Sequence, residues 1–588
     1  MTPVSDTPAS PAAPRHSRWT ALKLRVLERL ALWRPNSILL WAALAGVLGA
    51  LATLAFREAV HALQWLMTRQ HGALVETAML LPPWQRVAVP TLGGLLAGGV
   101  LEWMRRRKDA RGAPDYMEVI SLGNGVIGAG QTLVRSLSSA LSVGSGASIG
   151  REGSMVQLAA LVASLLGRAA AFNEARLRLL VACGSAAGIA AAYNAPIAGA
   201  LFVSEIVLGS IAMSAFGPLL VASVTSSLVV HQVLGYRPTY DMPSFLTIGG
   251  ADVLPYVGLG IVVGIAAPQF LRLLDTSKTV FIRMRIALPW RLALGGLVVG
   301  LLSLQVPDVW GNGYDTVSSI LNSDWTWRAL LVVLVFKLLA TGATVGSGAV
   351  GGVFTPTLFV GAVIGALYAQ LLNQAVPGFA MTSAYTAVAM GAMLAATTHA
   401  PLMSILMISE MMASYPIVLP LMLSCVTAYS VARVFRADSI YSRSMRRQRE
   451  AQPQRSLSAV RIGELLKPDR PSLAPETSLL EIAEAFTDQR VQYLYVADVG
   501  GRFIGAVSLH DVRRELDAGH DAVVARDLLL PDFPVLRPAM CISDALLLFA
   551  KHHGERLPVV AVAAEGGKLL GSVTKTDVMF LMQDGLQV

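Results

Sequence analysis

Two stretches of the chain gather backbone amides in a pattern that an anion can use. Residues 143–154 read VGSGASIGREGS, and residues 345–356 read VGSGAVGGVFTP. Glycine exposes N–H groups and permits close backbone approach. A helix that begins just afterward presents free amides carrying a partial positive charge. Such a helix end attracts an anion without a full cation. That weakness suits a permeating ion, because a fixed lysine or arginine would hold it too tightly to release it. Gly150, Arg151 and Gly153 supply amides from the first stretch, and Val353 and Phe354 supply them from the second. The competing reading is close helix packing by small residues, and the occurrence of the pattern twice weighs against it.

Glu152 sits on the first of these helix starts. There a carboxylate can occupy the anion's own place as a tethered competitor, and protonation would release it. The position would then act as a pH-sensitive gate that links anion passage to a proton. Ionisable residues within a membrane are functional candidates, although an ion pair between Glu152 and Arg151 is the structural alternative. The Arg151 side chain is expected to reach an interface or to cap carbonyls, with no transport role of its own.

The elements that must position these residues are membrane helices. Of 588 residues, 54% are hydrophobic and 14% charged, and the mean hydropathy of +0.56 exceeds what a solvated surface allows. Apolar runs recur from Ile38–Phe56 to Val418–Val434, including one long run from Leu179 to Leu208. Several reach the roughly 20 residues that span a bilayer. The leader is polar and Pro- and Ala-rich, and it carries Arg15, Arg18, Lys23, Arg25, Arg29 and Arg34, which argues against a cleaved signal peptide. A second basic cluster, from Arg433 to Arg449, follows the last apolar run, so the positive-inside bias puts both ends of the membrane region in the cytoplasm. Much of the net charge of +9 is therefore topological, and no nucleic-acid partner is expected. Cys183, Cys425 and Cys541 form no disulfide or metal pattern. The nine histidines contain no His-Glu-x-x-His, which excludes a zinc intramembrane protease, and no enzyme activity is expected.

Both ends of the chain's text repeat. In the membrane region YNAPIAGALFVSEI (193–206) is echoed by THAPLMSILMISEM (398–411), in the same order as the two glycine stretches. Such duplication predicts two related bundles whose broken helices meet near the bilayer midplane. Inverted halves would bring the matching motifs together across a pseudo-two-fold axis. After about residue 452 a soluble unit repeats twice, each copy giving a helix, a β-rich hairpin around Gly-Gly, and a strand entering a helix. This tail resembles a pair of CBS modules, a regulatory domain. The copies end in Ser508-x-x-Asp511 and Thr574-x-x-Asp577. Where such modules bind adenosine nucleotides, this pattern sets a hydroxyl near phosphate and a carboxylate against the ribose. The same residues also suit a capping box, so both readings stay open. His552 and His553 are read as part of a solvated face. The expected divisions are a basic leader 1–35, a membrane domain 36–442, a linker 443–461, and modules 462–520 and 521–588.

The segment GREGS resembles the GREGP motif of the CLC chloride channel and transporter family, GGVFTP resembles its GxFxP motif, and APIAGALFVSE lies between them. The resemblance covers Ile38 to Ser442 and is nearest to the bacterial ClcB-type branch. It implies a homodimer in a bacterial plasma membrane, with one chloride path per subunit and no required cofactor. It also implies that Glu152 is the gate, that the Val353 and Phe354 amides hold the anion, and that Tyr441 closes the inner side, the alternative for Tyr441 being an interfacial anchor. Two departures stand out. Arg111 falls where the family has an anion-contacting serine, and it is expected to snorkel to the cytoplasmic face. Ile206 falls on the family's internal proton-transfer glutamate, beside Glu205. Isoleucine cannot relay a proton, which points to passive chloride conduction, with loosely coupled exchange through Glu205 as the alternative. Glu205 and its echo Glu410 can instead satisfy helix ends. A cation transporter with CBS domains is the distant alternative, disfavoured because its carboxylates are few and lie beside amide-presenting turns.

Overall fold

In the computed structural model, residues 37–441 are described apart from 107–114, 122, 237 and 243–252. Residues 461–578 are described apart from 467–471, 490, 519, 521, 531, 553–554, 562–566 and 576. The leader cations, Arg111, the arginines from Arg443 to Arg449 and His553 lie outside the described residues. The chain divides into two compact units, Met1–Met445 and Arg446–Val588.

The first unit is helical. Its first part holds α1 (Ser37–Thr68), α2 (Pro83–Arg106), α3 (Ala129–Gly144), α4 (Glu152–Ala169), α5 (Glu174–Tyr193), α6 (Pro196–Phe202) and α7 (Met213–Leu234). The second part holds α8 (Leu254–Arg283), α9 (Leu288–Ser303), α10 (Tyr314–Asn322), α11 (Trp327–Ser347), α12 (Phe354–Ala375), α13 (Thr382–Thr398), α14 (Pro401–Met411) and α15 (Val418–Phe435). Among the described residues, eight helices are long and apolar enough to cross a membrane, while α6, α9 and α14 are apolar but shorter.

One apolar run is not one helix. The stretch Leu179–Leu208 breaks at Asn194, whose φ of 56° is left-handed, and restarts at Pro196 as α6, which ends in a π-helical turn, Val203–Val207. His399, at the echoing position, has φ 60° and separates α13 from α14 in the same way. A left-handed residue followed by Ala-Pro is a helix stop and a pre-set helix start in sequence. The echo in sequence is thus an echo in backbone geometry. Hydropathy also conceals α4, whose small residues Ala159, Ala160 and Ala163 are buried against other helices.

Residues 92–99 of α2, LGGLLAGG, form a small-residue stripe that packs helices within the chain. A Cβ on Gly98 would lie 2.6 Å from Pro289 Cα, and one on Gly300 would lie 2.7 Å from Val87 Cα. Only glycine allows α2 and α9 to approach this closely, as expected where helices associate by van der Waals contact rather than by the hydrophobic effect.

The second unit is α/β. Strand β1 (Ser472–Leu473) runs parallel to β2 (Tyr493–Ala497), which pairs antiparallel with β3 (Phe503–Ser508); β4 (Arg556–Val560) pairs antiparallel with β5 (Leu569–Thr574). Tyr493 faces Ser508 in one hairpin and Arg556 faces Thr574 in the other, and both ladders slip at the same point, after Val496 and after Val559. Helices α16 (Leu479–Gln489), α17 (Leu509–Asp517) and α18 (Ile542–Lys551) cover the strands. His552 belongs to no purely solvated face, because its ring meets Phe533 at 4.6 Å and Tyr493 at 5.1 Å. In this unit the Glu515 carboxylate is held below its ordinary range, chiefly by the hydrogen bond from His520 at 2.8 Å.

Candidate functional site

The two glycine stretches touch at matching residues. Gly150 N–H donates to Gly352 O at 2.7 Å and Gly352 N–H donates to Gly150 O at 2.8 Å, forming an isolated antiparallel bridge. The two paired glycines hold matching places in the two stretches. From this bridge the chain enters α4 at Glu152 on one side and α12 at Phe354 on the other. Two helix N-termini therefore start from one point.

Glu152 lies at that point and is buried, with 5% of its surface exposed. Its Oε1 accepts a hydrogen bond from Thr355 Oγ1, and its Oε2 is buried without a hydrogen-bond partner. Thr355 belongs to the echoing stretch, so the second half holds the carboxylate of the first. Sequence reasoning missed Thr355; the only available signal was its place directly after Phe354.

A cavity of about 440 Å³ opens beside the carboxylate, and its lining includes Glu152, Gly153, Val353, Phe354, Tyr193 and Tyr441. The Tyr441 ring stands edge-on to Phe202 at 5.7 Å, and the Tyr193 ring tilts against Phe354 at 4.7 Å. The structure thus brings together Glu152, Gly153, Val353, Phe354 and Tyr441. Arg151 is separate and lines a second cavity of about 730 Å³ with Arg57, His61, Trp310, Asn312 and Tyr314. Among the described residues Arg151 makes no ion pair with Glu152. Successive residues at the start of α4 therefore face different spaces, with the glutamate in one and the arginine in the other.

Glu205 and Glu410 line neither cavity. Glu410 accepts from Ile197 N at 3.0 Å and Ala198 N at 2.8 Å, at the start of α6. Glu205 accepts from Met403 N at 2.8 Å, at the start of α14. Each short helix therefore has its free amides satisfied by a carboxylate from the end of the other, an arrangement favoured by both hydrogen bonding and the helix dipole. Glu205 is engaged at a helix end and Ile206 is apolar.

A buried lysine braces a loop that lines the larger cavity. Lys337 on α11 is 1% exposed, and its Nζ donates to the carbonyls of Asp308, Val309 and Gly311 at 3.0–3.2 Å. These carbonyls belong to the loop that carries Trp310 and Asn312. In the second unit, Ser508 Oγ donates to Asp511 Oδ2 at 2.7 Å and accepts from Asp511 N at 3.1 Å. Asp577 N donates to Thr574 Oγ1 at 3.0 Å, and Thr574 N donates to Asp577 Oδ2 at 3.4 Å. Both hydroxyl–aspartate pairs cap the helices that follow them.

Comparison with known proteins places these features in a family. The family described as voltage gated chloride channel matches residues 93–433, and the CBS domain matches residues 462–518 and 525–584. The chain is 54% identical over 414 residues to a putative chloride channel protein, ClcB-like, of Ralstonia nicotianae, covering 70% of this chain and 96% of that one. It is 43% identical over 408 residues to the voltage-gated ClC-type chloride channel ClcB of Salmonella typhimurium, covering 68% and 97%. Among solved structures, a slow cyanobacterial Cl-/H+ antiporter superposes with TM-score 0.63 at 25% identity over 71% of this chain and 98% of that one. A eukaryotic CLC transporter superposes with TM-score 0.59 at 19% identity over 93% and 98%, a likeness of fold alone.

Proposed function

Because the chain belongs to the voltage gated chloride channel family and carries two CBS domains behind its membrane region, we propose that it conducts chloride passively, with Glu152 as the gate. The observation that carries this reading is the meeting of the two repeat-matched helix starts at Gly150 and Gly352, with the Glu152 carboxylate lodged between them. Amides of Arg151, Gly153, Val353 and Phe354 then hold a small anion when the carboxylate leaves, whereas the Gly150 amide, expected from the sequence to join them, is taken by Gly352 O. Tyr441 bounds the site on the side of the smaller cavity. Two inverted halves meeting at the bilayer midplane account for this pairing. With the basic flanks cytoplasmic, the smaller cavity faces the cytoplasm, the larger one faces the opposite side, and the membrane is the plasma membrane of a bacterium.

The passive reading rests on Ile206 and on the engagement of Glu205 at the start of α14, which leave no carboxylate free to pass protons at that place. Proton-coupled exchange is the second reading, favoured by the likeness to the cyanobacterial antiporter. The purified protein in liposomes is expected to release chloride down its gradient without moving protons uphill. Uphill proton movement driven by chloride would instead establish exchange.

A homodimer fits the half-exposed apolar side chains Ile197 and Leu402 at the starts of α6 and α14, which are 42% and 51% exposed in the single chain. For the CBS pair we propose an adenosine nucleotide as a regulatory ligand. The caps at Ser508 and Thr574 each hold an aspartate that can accept ribose hydroxyls, as charge-assisted hydrogen bonds favour. ATP titrated into the full-length protein is expected to bind, and Asp511→Asn combined with Asp577→Asn to weaken binding by about tenfold or more, the loss of roughly 1.4 kcal/mol. Unchanged affinity in the double variant would place the nucleotide elsewhere.

A further inference from the structure

One hydroxyl on the smaller cavity makes no hydrogen bond. Tyr193, the last residue of α5, is 2% exposed and lines that cavity with Glu152, Phe354 and Tyr441. Its Oη is buried without a hydrogen-bond partner. Glu152 Oε2, on the same cavity, lacks one too, so the phenol and the carboxylate do not meet. The neighbouring Thr355 hydroxyl is committed to Glu152 Oε1.

The break that ends α5 fixes where this phenol stands. The Tyr193 carbonyl accepts from Thr239 Oγ1 at 2.7 Å. The next residue, Asn194, is left-handed and pairs with His231 Nε2. The ring itself tilts against Phe354, the first residue of α12, at 4.7 Å. Tyr193 is thus anchored at its backbone and at its ring, with its hydroxyl beside one of the two helix starts. Buried polar groups ordinarily find partners, and an anion entering this cavity is an acceptor for the phenol.

We infer that Tyr193 determines anion specificity, its hydroxyl donating to the permeating ion beside Phe354 and not to the Glu152 carboxylate. The inference rests on the chloride reading above. An interaction shifts a competition only by the difference it makes between the two states. A donor that reaches the free ion and not the tethered carboxylate therefore favours the free ion. The same donor ranks the ions. Chloride keeps its charge on one atom while thiocyanate spreads it over three, so a charge-assisted hydrogen bond selects chloride.

Flux of chloride and of thiocyanate through the full-length protein in liposomes tests this, with Tyr193→Phe, which keeps the ring and removes only the hydroxyl. The chloride-to-thiocyanate permeability ratio is expected to fall by about fivefold and the half-saturating chloride concentration to rise by about fivefold, with the thermal midpoint in detergent unchanged. A hydroxyl of purely structural importance would move the midpoint and leave the ratio alone, and that result overturns the inference. The substitution is repeated in Glu152→Gln, where no carboxylate charge competes. A similar fall in the ratio there is expected. A change seen only when Glu152 is present would assign the hydroxyl to the carboxylate and overturn the inference while sparing the gate. No chloride flux from the folded wild type would remove the chloride reading and this inference together.

Discussion

Replacing Glu152 with glutamine is expected to remove the pH dependence of chloride flux and to hold the flux at the level that the wild type reaches in acid. The wild-type carboxylate is buried, takes one hydrogen bond from Thr355, and leaves Oε2 without a partner. What keeps such a group in place is its charge, acting on the partial positive ends of α4 and α12. Protonation removes that charge and with it the advantage over a free anion at the same amides. Glutamine is neutral at every pH and nearly the same size, so it imitates the released state permanently. Between about pH 3 and about pH 6, where an ordinary glutamate carboxyl group changes charge, wild-type flux is expected to vary by about tenfold and that of Glu152→Gln by less than about twofold. The measurement is chloride efflux from liposomes with equal pH on both sides. A steep pH dependence surviving in Glu152→Gln would move the gate to another residue.

The repeat that sequence comparison finds between the two halves is the most informative part of the text, and physics explains why it was legible. Glycine-rich turns leave a strong compositional mark, and two copies in the same order imply a relation between the halves. Gly150 then pairs with Gly352, its repeat equivalent. The identity of what holds Glu152 was not legible. Thr355 is an ordinary residue whose hydroxyl matters only because α12 starts against α4, a tertiary fact. Hydropathy also failed at Asn194, where an unbroken apolar run conceals a left-handed turn. Apolarity reports the solvent around a segment, and the direction of the backbone depends on local φ and on the Ala-Pro restart. In the tail the S/T-x-x-D pattern was legible as a motif, and its capping geometry followed, because capping is local and needs no distant partner.

The paired carboxylates at Glu205 and Glu410 lead to the last expected result, a loss of stability without a change in ion selectivity or proton movement. A carboxylate near the internal end of a membrane helix invites a proton-transfer reading, and the sequence alone keeps that reading open. The hydrogen bonds give it different work. Glu410 satisfies two amides of α6, and Glu205 satisfies one of α14 across the same contact. Both short helices begin with proline, and neither has a side-chain cap at its own N-cap residue. The acid from the opposite half is therefore the cap. Hydrogen bonds to a charged group contribute about 1.5–3 kcal/mol each, so Glu410→Ala, which removes two, is expected to destabilise more than Glu205→Ala, which removes one. Thermal denaturation in detergent should show midpoints lowered on the order of 5 °C for Glu410→Ala and less for Glu205→Ala. Glutamine at either position keeps one acceptor oxygen and should recover part of the loss. Proton movement under a chloride gradient should be the same in Glu205→Gln as in the wild type. If Glu205→Gln retained its thermal midpoint yet altered proton movement, Glu205 would belong to a proton path and the capping account of it would fail.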